Sequence, residues 1–435
     1  MENQRPSWTS RGTFVLAAIG SAVGLGNIWR FPYIMGQNGG AAFLVVYLLL
    51  ILTICFIPLV AELIMGKITK KECVGAFESV SPKLKPIGAL NPITGILIMS
   101  FYFVVGGWIL NYICLGFSNS EITDFSEYFS IFVQNSYSNC IFTLLFLFAC
   151  VFLTARGVKK GIEFANNVLM PMFALILIFL IFSALQLPNA YLGLEYMFKP
   201  DFSKINPHTF LTALGQALFT LSIGMGAMLT YGSYIKDDKA ITKSAYTIIF
   251  SDTLFALMAG VMIFPAIFSF GLQPDSGAGL VFVTLPYIFA QIPHGNIVSI
   301  AFFVLLLTAA ITSGISMLEV AVAALTERMK FSRIKACITA FCLIAAIAIP
   351  ATLSFGLLSN FKIFDKTVFD FLDFITSNCL MPLNAFFICI ITGWVMGVKG
   401  EMFTQNRLFA RLFDFGLKFA VPIILLELLY IGLKQ

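Results

Sequence analysis

Charge and histidine are scarce in this chain. Asp, Glu, Lys and Arg make up 11% of its 435 residues and there are 2 His, whereas an ordinary soluble domain carries about 25% charged residues. A soluble multi-domain enzyme is excluded on that ground. The 9 Cys form no CxxC pair and no Cys/His cluster, which argues against zinc, haem or iron–sulfur binding. No GxSxG serine, HExxH pair or regular series of aspartates is present, so hydrolase and transferase motifs are lacking. Gly24-Leu-Gly26 does not complete a GxGxxG, because position 29 is Trp. His208 and His294 fall at the edges of apolar runs, where a solvated or capping role suits them. The 27 Lys and Arg are scattered rather than gathered in a polybasic patch, so neither a nucleic-acid partner nor an organic cofactor is expected.

Apolar residues fill the space. The chain is 59% hydrophobic with 47 Phe and a mean hydropathy of +0.92, more apolar surface than one globular core could hide. Membrane lipid must therefore serve as part of its solvent. Apolar runs of spanning length occur near 13–36, 41–66, 87–118, 138–154, 162–185, 208–235, 241–271, 295–326, 334–353, 368–396 and 408–432, which predicts an all-α polytopic protein of eleven transmembrane helices. With the N-terminus inside, twenty Lys and Arg lie in cytoplasmic segments and five (Lys199, Lys204, Lys362, Lys366, Lys434) lie outside. The positive-inside rule then gives N-in, C-out. The polar first dozen residues lead into an apolar stretch without a small-residue cleavage site, so the first span is expected to be retained. Residues 119–137, with Glu121, Asp124 and Glu127, read as an acidic outer loop, and 272–294 as a structured outer loop with short helices.

The first span contains Gly20, Gly24 and Gly26, then Asn27, Arg30 and Pro32. Each Gly costs a helix interior about 1 kcal/mol against Ala, and unwound backbone survives in a membrane only where protein or a wet cavity surrounds it. Gly20 and Gly24 also fit a close helix-packing face, but that reading leaves Asn27 and Arg30 unexplained. The sixth span repeats the pattern in Thr220-Leu-Ser222-Ile-Gly224-Met-Gly226. Five spans (1–185) are thus followed by five more (208–396) that start with the same kind of break, with one extra helix (408–432). An odd number of spans inverts the second set, which is the inverted-repeat design of secondary transporters. Opposed half-helix ends would offer amides to a carboxylate and carbonyls to a cation. Ionisable residues within spans are costly and point to function: Arg30, Glu62, Asp252, Glu319, Asp370 and Asp373. The hydroxyls of Thr312 and Ser313 suit a hard monovalent cation, although Thr and Ser often bond back to their own helix.

These residues resemble the neurotransmitter:sodium symporter family, in its bacterial amino-acid transporter branch. The likeness covers essentially the whole chain and rests on GSAVGLGNIWRFPY (20–33), NGG (38–40), Glu62 in IPLVAELIMG, Tyr102, TLSIGMG (220–226), ITSGIS (311–316), Asp373, and the Gly161-x9-Pro171 spacing. It implies two sodium sites: one from the Ala22 carbonyl, Asn27, Thr220 and Asp252 with the substrate carboxylate, the other from the carbonyls of Gly20, Val23 and Ala309 with Thr312 and Ser313. It implies a substrate pocket at Ser21, Ala22, Gly24, Gly26, Ile98, Tyr102, Phe219, Thr220, Ser222, Met225, Ser313 and Met317. Tyr102 would bond the carboxylate, and Ile98, Met225 and Met317 would face an apolar side chain. Arg30 and Asp373 above Phe219, with Asp370 nearby, would form the outer gate. Arg5 and Glu327, supported by Trp8 and Tyr234, would latch the inside, and Glu62 would bond freed backbone of the sixth span.

The resemblance thus implies sodium-coupled symport of a hydrophobic amino acid, large aliphatic or aromatic, across a bacterial cytoplasmic membrane. Asp252 stands where the family's leucine transporter has an amide, and its fixed charge would make chloride unnecessary. Rival readings are a proton-coupled transporter of the same fold, with Asp252 or Glu319 as carrier, and a membrane receptor that binds an amino acid without moving it. The oligomeric state is left open.

Overall fold

A computed structural model of the chain describes residues 6–118, 122–236, 241–272, 277–402 and 406–434. Among the described residues the regular structure is helical, apart from one isolated bridge between Ile363 and Lys366. By length and apolarity, eight helices can cross a membrane, or nine when the bent pair Arg11–Ala22 and Gly26–Gln37 counts as one span. The second to fifth spans are Ala41–Thr69, Pro82–Gly116, Ser136–Ala155 and Val158–Leu185; the seventh to tenth are Ile241–Ser269, Gly295–Arg328, Arg333–Leu353 and Val368–Val395. The expected count of eleven adds two segments that length and apolarity alone do not identify. The sixth is divided into Pro207–Thr220 and Ala227–Ser233. The eleventh, over 407–432, carries Arg407, Arg411, Asp414 and Lys418 in its first half. The all-α polytopic class holds.

The third and eighth spans are the longest and lie at the centre, packed against each other, while the first packs on the fifth, seventh and eighth. Burial follows sequence: the most apolar window of the third span is 78% buried and that of the fifth only 28%. The outward faces of the fourth and fifth spans expose Leu145, Phe148, Phe152, Leu175, Ile178, Phe179 and Phe182. A belt of that kind would aggregate in water and is stable in hydrocarbon. Of the outer loops, Phe125–Gln134 is a helix capped by Asp124, whose carboxylate accepts from Ser126 N and Glu127 N. Leu280–Gln291 is helical as well. Glu121 lies outside the described residues.

Both predicted breaks are present, and they differ in kind. The first span leaves the α-helix at Val23 (φ −74°, ψ 97°), resumes as a π-turn at Gly26–Arg30, and bends by 47°. The sixth is unwound over residues 221–226, where Ser222, Gly224 and Gly226 all have positive φ (54°, 79° and 78°). A side chain at Gly224 would also come 2.3 Å from the Met381 carbonyl oxygen. Glycine is the residue that tolerates both demands.

Candidate functional site

The two breaks and the third, seventh and eighth spans meet in a buried cluster of oxygens. Asn27 is held at the first break by its own loop, with Oδ1 accepting from Gly24 N at 3.0 Å. Its Nδ2 donates to the Asp252 carboxylate Oδ1 (2.7 Å) and carbonyl (3.1 Å). The Thr220 hydroxyl, at the end of the first sixth-span half-helix, donates to the same Oδ1 at 2.9 Å. Asp252 is fully buried, and its Oδ2 has no hydrogen-bond partner. The Tyr47 hydroxyl sits beside this carboxylate without a well-formed hydrogen bond to it. An unmatched buried carboxylate oxygen costs several kcal/mol, and a cation or a proton is what relieves it. Of the residues expected here, Asn27, Thr220 and Asp252 come together; Ala22, the last residue of the first half-helix, is buried two positions before Gly24.

A second group lies where the first span crosses the eighth. Ser313 donates its hydroxyl toward the carbonyls of Gly20 (3.3 Å) and Ser21 (3.2 Å). Thr312 bonds back to the carbonyls of Thr308 (3.1 Å) and Ala309 (3.0 Å). A Cβ on Gly20 would sit 3.3 Å from Thr312 Cβ, so Gly20, Ala309, Thr312 and Ser313 share one place. Val23, whose backbone N–H still bonds the Ile19 carbonyl at 2.7 Å, is where the chain turns extended and frees its own carbonyl from the helix.

Between these groups lie the expected pocket residues. Tyr102 is buried, and its hydroxyl sits beside Ser313 and the Leu25 backbone without a well-formed hydrogen bond to either. Gly24 brings the chain against Ser313, since a Cβ there would lie 2.4 Å from its Oγ and 3.5 Å from the Tyr102 hydroxyl. Ser21 and Ser222 tie the two breaks together, the Ser222 hydroxyl donating to the Ser21 carbonyl at 3.1 Å; Ser21 Oγ also lies 2.7 Å from Ser316 Oγ. Gly26 faces the Phe219 ring, 3.3 Å from where its Cβ would be. Ile98, Met225 and Met317 are buried, and Gly95, one turn before Ile98, faces the Met225 and Met317 carbonyls, each 3.9 Å from its Cβ position.

One side of this cluster, expected to face outward, is open, and the opposite side, expected to face the cytoplasm, is closed. Arg30, Phe219, Asp370 and Asp373 line a cavity of about 320 Å³ with Tyr33 and Tyr102. The expected Arg30–Asp373 ion pair is not formed. Arg30 instead lies over Phe219, 4.4 Å from the ring centre, while Asp373 Oδ1 accepts from Ser377 at 2.9 Å and Asp370 Oδ2 from Thr367 at 2.6 Å. Both carboxylates are thus satisfied along their own helix. On the inner side Trp8 is buried, donating its indole N–H to the Tyr231 carbonyl (2.9 Å) and its backbone N–H to that of Tyr234 (3.3 Å). Tyr234 donates to Glu319 at 2.7 Å. Arg5 lies outside the described residues; Glu327 accepts from Glu72 N at 3.2 Å.

Several contributors were not foreseen. Arg333, grouped by sequence with topological charges, pairs with the fully buried Glu319 at 2.6 Å and donates to the Thr154 carbonyl at 2.7 Å. This corrects the reading of Glu319 as a free proton carrier, because its charge is matched. Glu163 in the π-turn Val158–Glu163 accepts from Thr9 N and Thr9 Oγ1, both at 2.7 Å. Gln216 donates to the Gly26 carbonyl at 2.9 Å and Asn384 to that of Gly224 at 2.8 Å, while Glu62, which was expected to bond the freed sixth-span backbone, accepts from Gly224 N at 2.6 Å. Each satisfies backbone that the breaks release. A search for neutral amides inside apolar runs, and not for ionisable groups alone, would have found Gln216 and Asn384.

The comparisons agree with this geometry. A model described as the Sodium:neurotransmitter symporter family matches residues 5–124 and 132–435, both breaks included. An uncharacterized sodium-dependent transporter, YhdH of Bacillus subtilis (strain 168), is 38% identical over 414 residues, covering 94% of this chain and 92% of that protein. An uncharacterized sodium-dependent transporter of Haemophilus influenzae is 34% identical, covering 97% of each. Among solved structures, MhsT in complex with L-phenylalanine matches with a TM-score of 0.90 at 42% identity, over 98% of this chain and 99% of that one. The chain belongs to the sodium:neurotransmitter symporter family, a family of sodium-coupled membrane transporters and not of enzymes.

Proposed function

We propose that this protein carries a hydrophobic amino acid, large aliphatic or aromatic, into a bacterial cell with sodium, by alternating access and without chloride. The observation that carries the reading is the buried Asp252 with its unpartnered oxygen, set between Asn27 of one break and Thr220 of the other. A sodium ion there would neutralise the carboxylate and join the two broken helices. The substrate carboxylate would complete its shell and take the Tyr102 hydroxyl, while the amides of the first break cradle the other oxygen. The ammonium would meet carbonyls of the sixth-span break. Ile98, Met225 and Met317 supply adaptable apolar surface for the side chain, with Gly95 leaving room beside them. That MhsT was solved with L-phenylalanine supports an amino acid of this class.

A second sodium ion would sit among Gly20, Val23, Ala309, Thr312 and Ser313 and fasten the first span to the eighth. We place 1–185 and 208–396 as inverted halves, with 408–432 outside them and the N-terminus in the cytoplasm. The contacts of Trp8, Glu163 and Glu319 then form the inner gate, and the 320 Å³ cavity is the entry from outside. Because a proton can also satisfy Asp252, the test is uptake of labelled phenylalanine, tyrosine, tryptophan and leucine into proteoliposomes, with potassium in place of sodium and gluconate in place of chloride. Loss in potassium alone is expected. Uptake that ignores sodium and follows pH would transfer the coupling to protons, and uptake that fails in gluconate would refute chloride independence.

A further inference from the structure

The fifth span is among the least buried of the described spans, yet it carries one buried amide, Asn166, only 1% exposed. The orientation of that amide is fixed by chemistry. Nδ2 donates to the Ile162 carbonyl at 2.9 Å, one turn back on the same helix, and exchanging the two ends would set oxygen against oxygen. Oδ1 therefore points away from its own helix, and it has no hydrogen-bond partner.

What Oδ1 points at is the first span. A Cβ built on Gly20 would lie 1.9 Å from it and 3.3 Å from Thr312 Cβ, so Oδ1 touches the Gly20 backbone on the side where Thr312 approaches. The hydroxyls at that place already donate elsewhere, Thr312 to Thr308 and Ala309 and Ser313 to Gly20 and Ser21. No neighbouring donor is left for the amide oxygen. A buried acceptor in that position is unfavourable without a partner, and the nearby Thr312 and Ser313 hydroxyls and the carbonyls they bond are oxygens whose lone pairs suit a hard cation.

We propose that Asn166 Oδ1 is a direct ligand of the sodium ion held by Gly20, Ala309, Thr312 and Ser313, so that the fifth span is part of that site. The inference rests on the assignment of that second sodium ion made above. It gives the ion a third helix to hold, and that helix is the one with the π-turn Val158–Glu163 next to the inner gate. Sodium occupancy is thereby linked to the order of the fifth span, and departure of the ion releases first, fifth and eighth spans together.

The test is Asn166→Thr. A Thr hydroxyl can bond back to the Ile162 carbonyl as the amide does, while no oxygen is left to face Gly20. Substrate binding to purified protein is titrated with sodium, and melting is followed in sodium and in potassium, alongside Thr312→Ala. The expected result is a roughly 3- to 10-fold rise in the sodium concentration for half-maximal binding, with melting in potassium unchanged and the extra stability given by sodium reduced. A normal sodium titration for Asn166→Thr beside a weakened Thr312→Ala would overturn the inference and leave the site standing. Equal destabilisation in both salts without a shifted titration would make Asn166 a structural residue only and overturn it too. Normal titrations for both variants would remove the second sodium ion itself.

Discussion

Replacing Asp252 by Asn separates charge from geometry at the proposed first sodium site. Asp252 Oδ1 accepts from Asn27 at 2.7 Å and Thr220 at 2.9 Å, and an Asn carbonyl oxygen can accept both. The new amide then faces Tyr47, whose hydroxyl is free to accept. Only the negative charge is lost. Two unit charges about 4 Å apart interact by about 4 kcal/mol at an effective dielectric of 20. The Asn carbonyl dipole keeps part of that, so we expect a loss of roughly half, about 2 kcal/mol, or a ~30-fold higher sodium requirement. Stability without sodium should move the other way or not at all, because an unmatched buried charge is removed. Melting in potassium should thus be retained, while the sodium-induced increase shrinks. On the proposed chloride independence of the parent, the variant should gain a chloride dependence, because chloride can restore the missing charge. A sodium titration within twofold of the parent would refute the reasoning, as would an equal fall in melting temperature in both salts.

Two further outcomes follow from the geometry. Tyr102→Phe removes a hydroxyl that makes no well-formed bond within the protein, so folding should be unaffected; hydrogen bonds to charged groups contribute about 1.5–3 kcal/mol, and substrate affinity at saturating sodium should fall by roughly 10-fold or more, as a binding isotherm would show. Arg333→Met leaves Glu319 buried without its cation, a defect worth about 3–5 kcal/mol; melting should fall sharply and Glu319→Leu in the same chain should restore much of it, an outcome that independent, additive losses would contradict.

The fold class was legible because a bilayer imposes strong constraints on composition, and both breaks were legible because glycine clusters have few other uses at membrane depth. The resemblance then supplied residue roles that spacing alone does not carry: nothing in the local pattern says that Asn27 and Asp252 meet, since they are 225 positions apart. The inner gate was the least legible. Arg333 follows Arg328 and Lys330 and reads as a topological charge, and only the packing of the ninth span against the eighth turns it toward Glu319. Asn166 was hidden for a similar reason, being a neutral residue in a helix otherwise turned toward lipid. The Arg30–Asp373 pair was legible as a proximity; it is not formed in this conformation, where the Phe219 ring and Ser377 hold the two partners.

That unformed pair has a thermodynamic meaning when set beside the inner gate. Arg30 and Asp373 line the same open cavity without pairing, and a solvent-accessible ion pair contributes only ~0–1 kcal/mol, so their attraction alone would not close that side. The inner side is held by a buried ion pair, a buried indole bond and a carboxylate bonded to Thr9, contacts that are costly to break singly. With the proposed N-in orientation, a chain built this way would rest facing outward. To turn inward it needs ligands that bind the closed arrangement better than the open one, since a ligand shifts an equilibrium only by its differential affinity. On the proposed reading, substrate and the first sodium ion, bound across both breaks beneath Phe219, would draw the outer side shut. The proposed second ion would act in the opposite sense, because its ligands on the first and eighth spans are those the proposed inner gate must separate. Coupling then requires no wire between the gates: filling the breaks closes one side, and loss of the second ion frees the other.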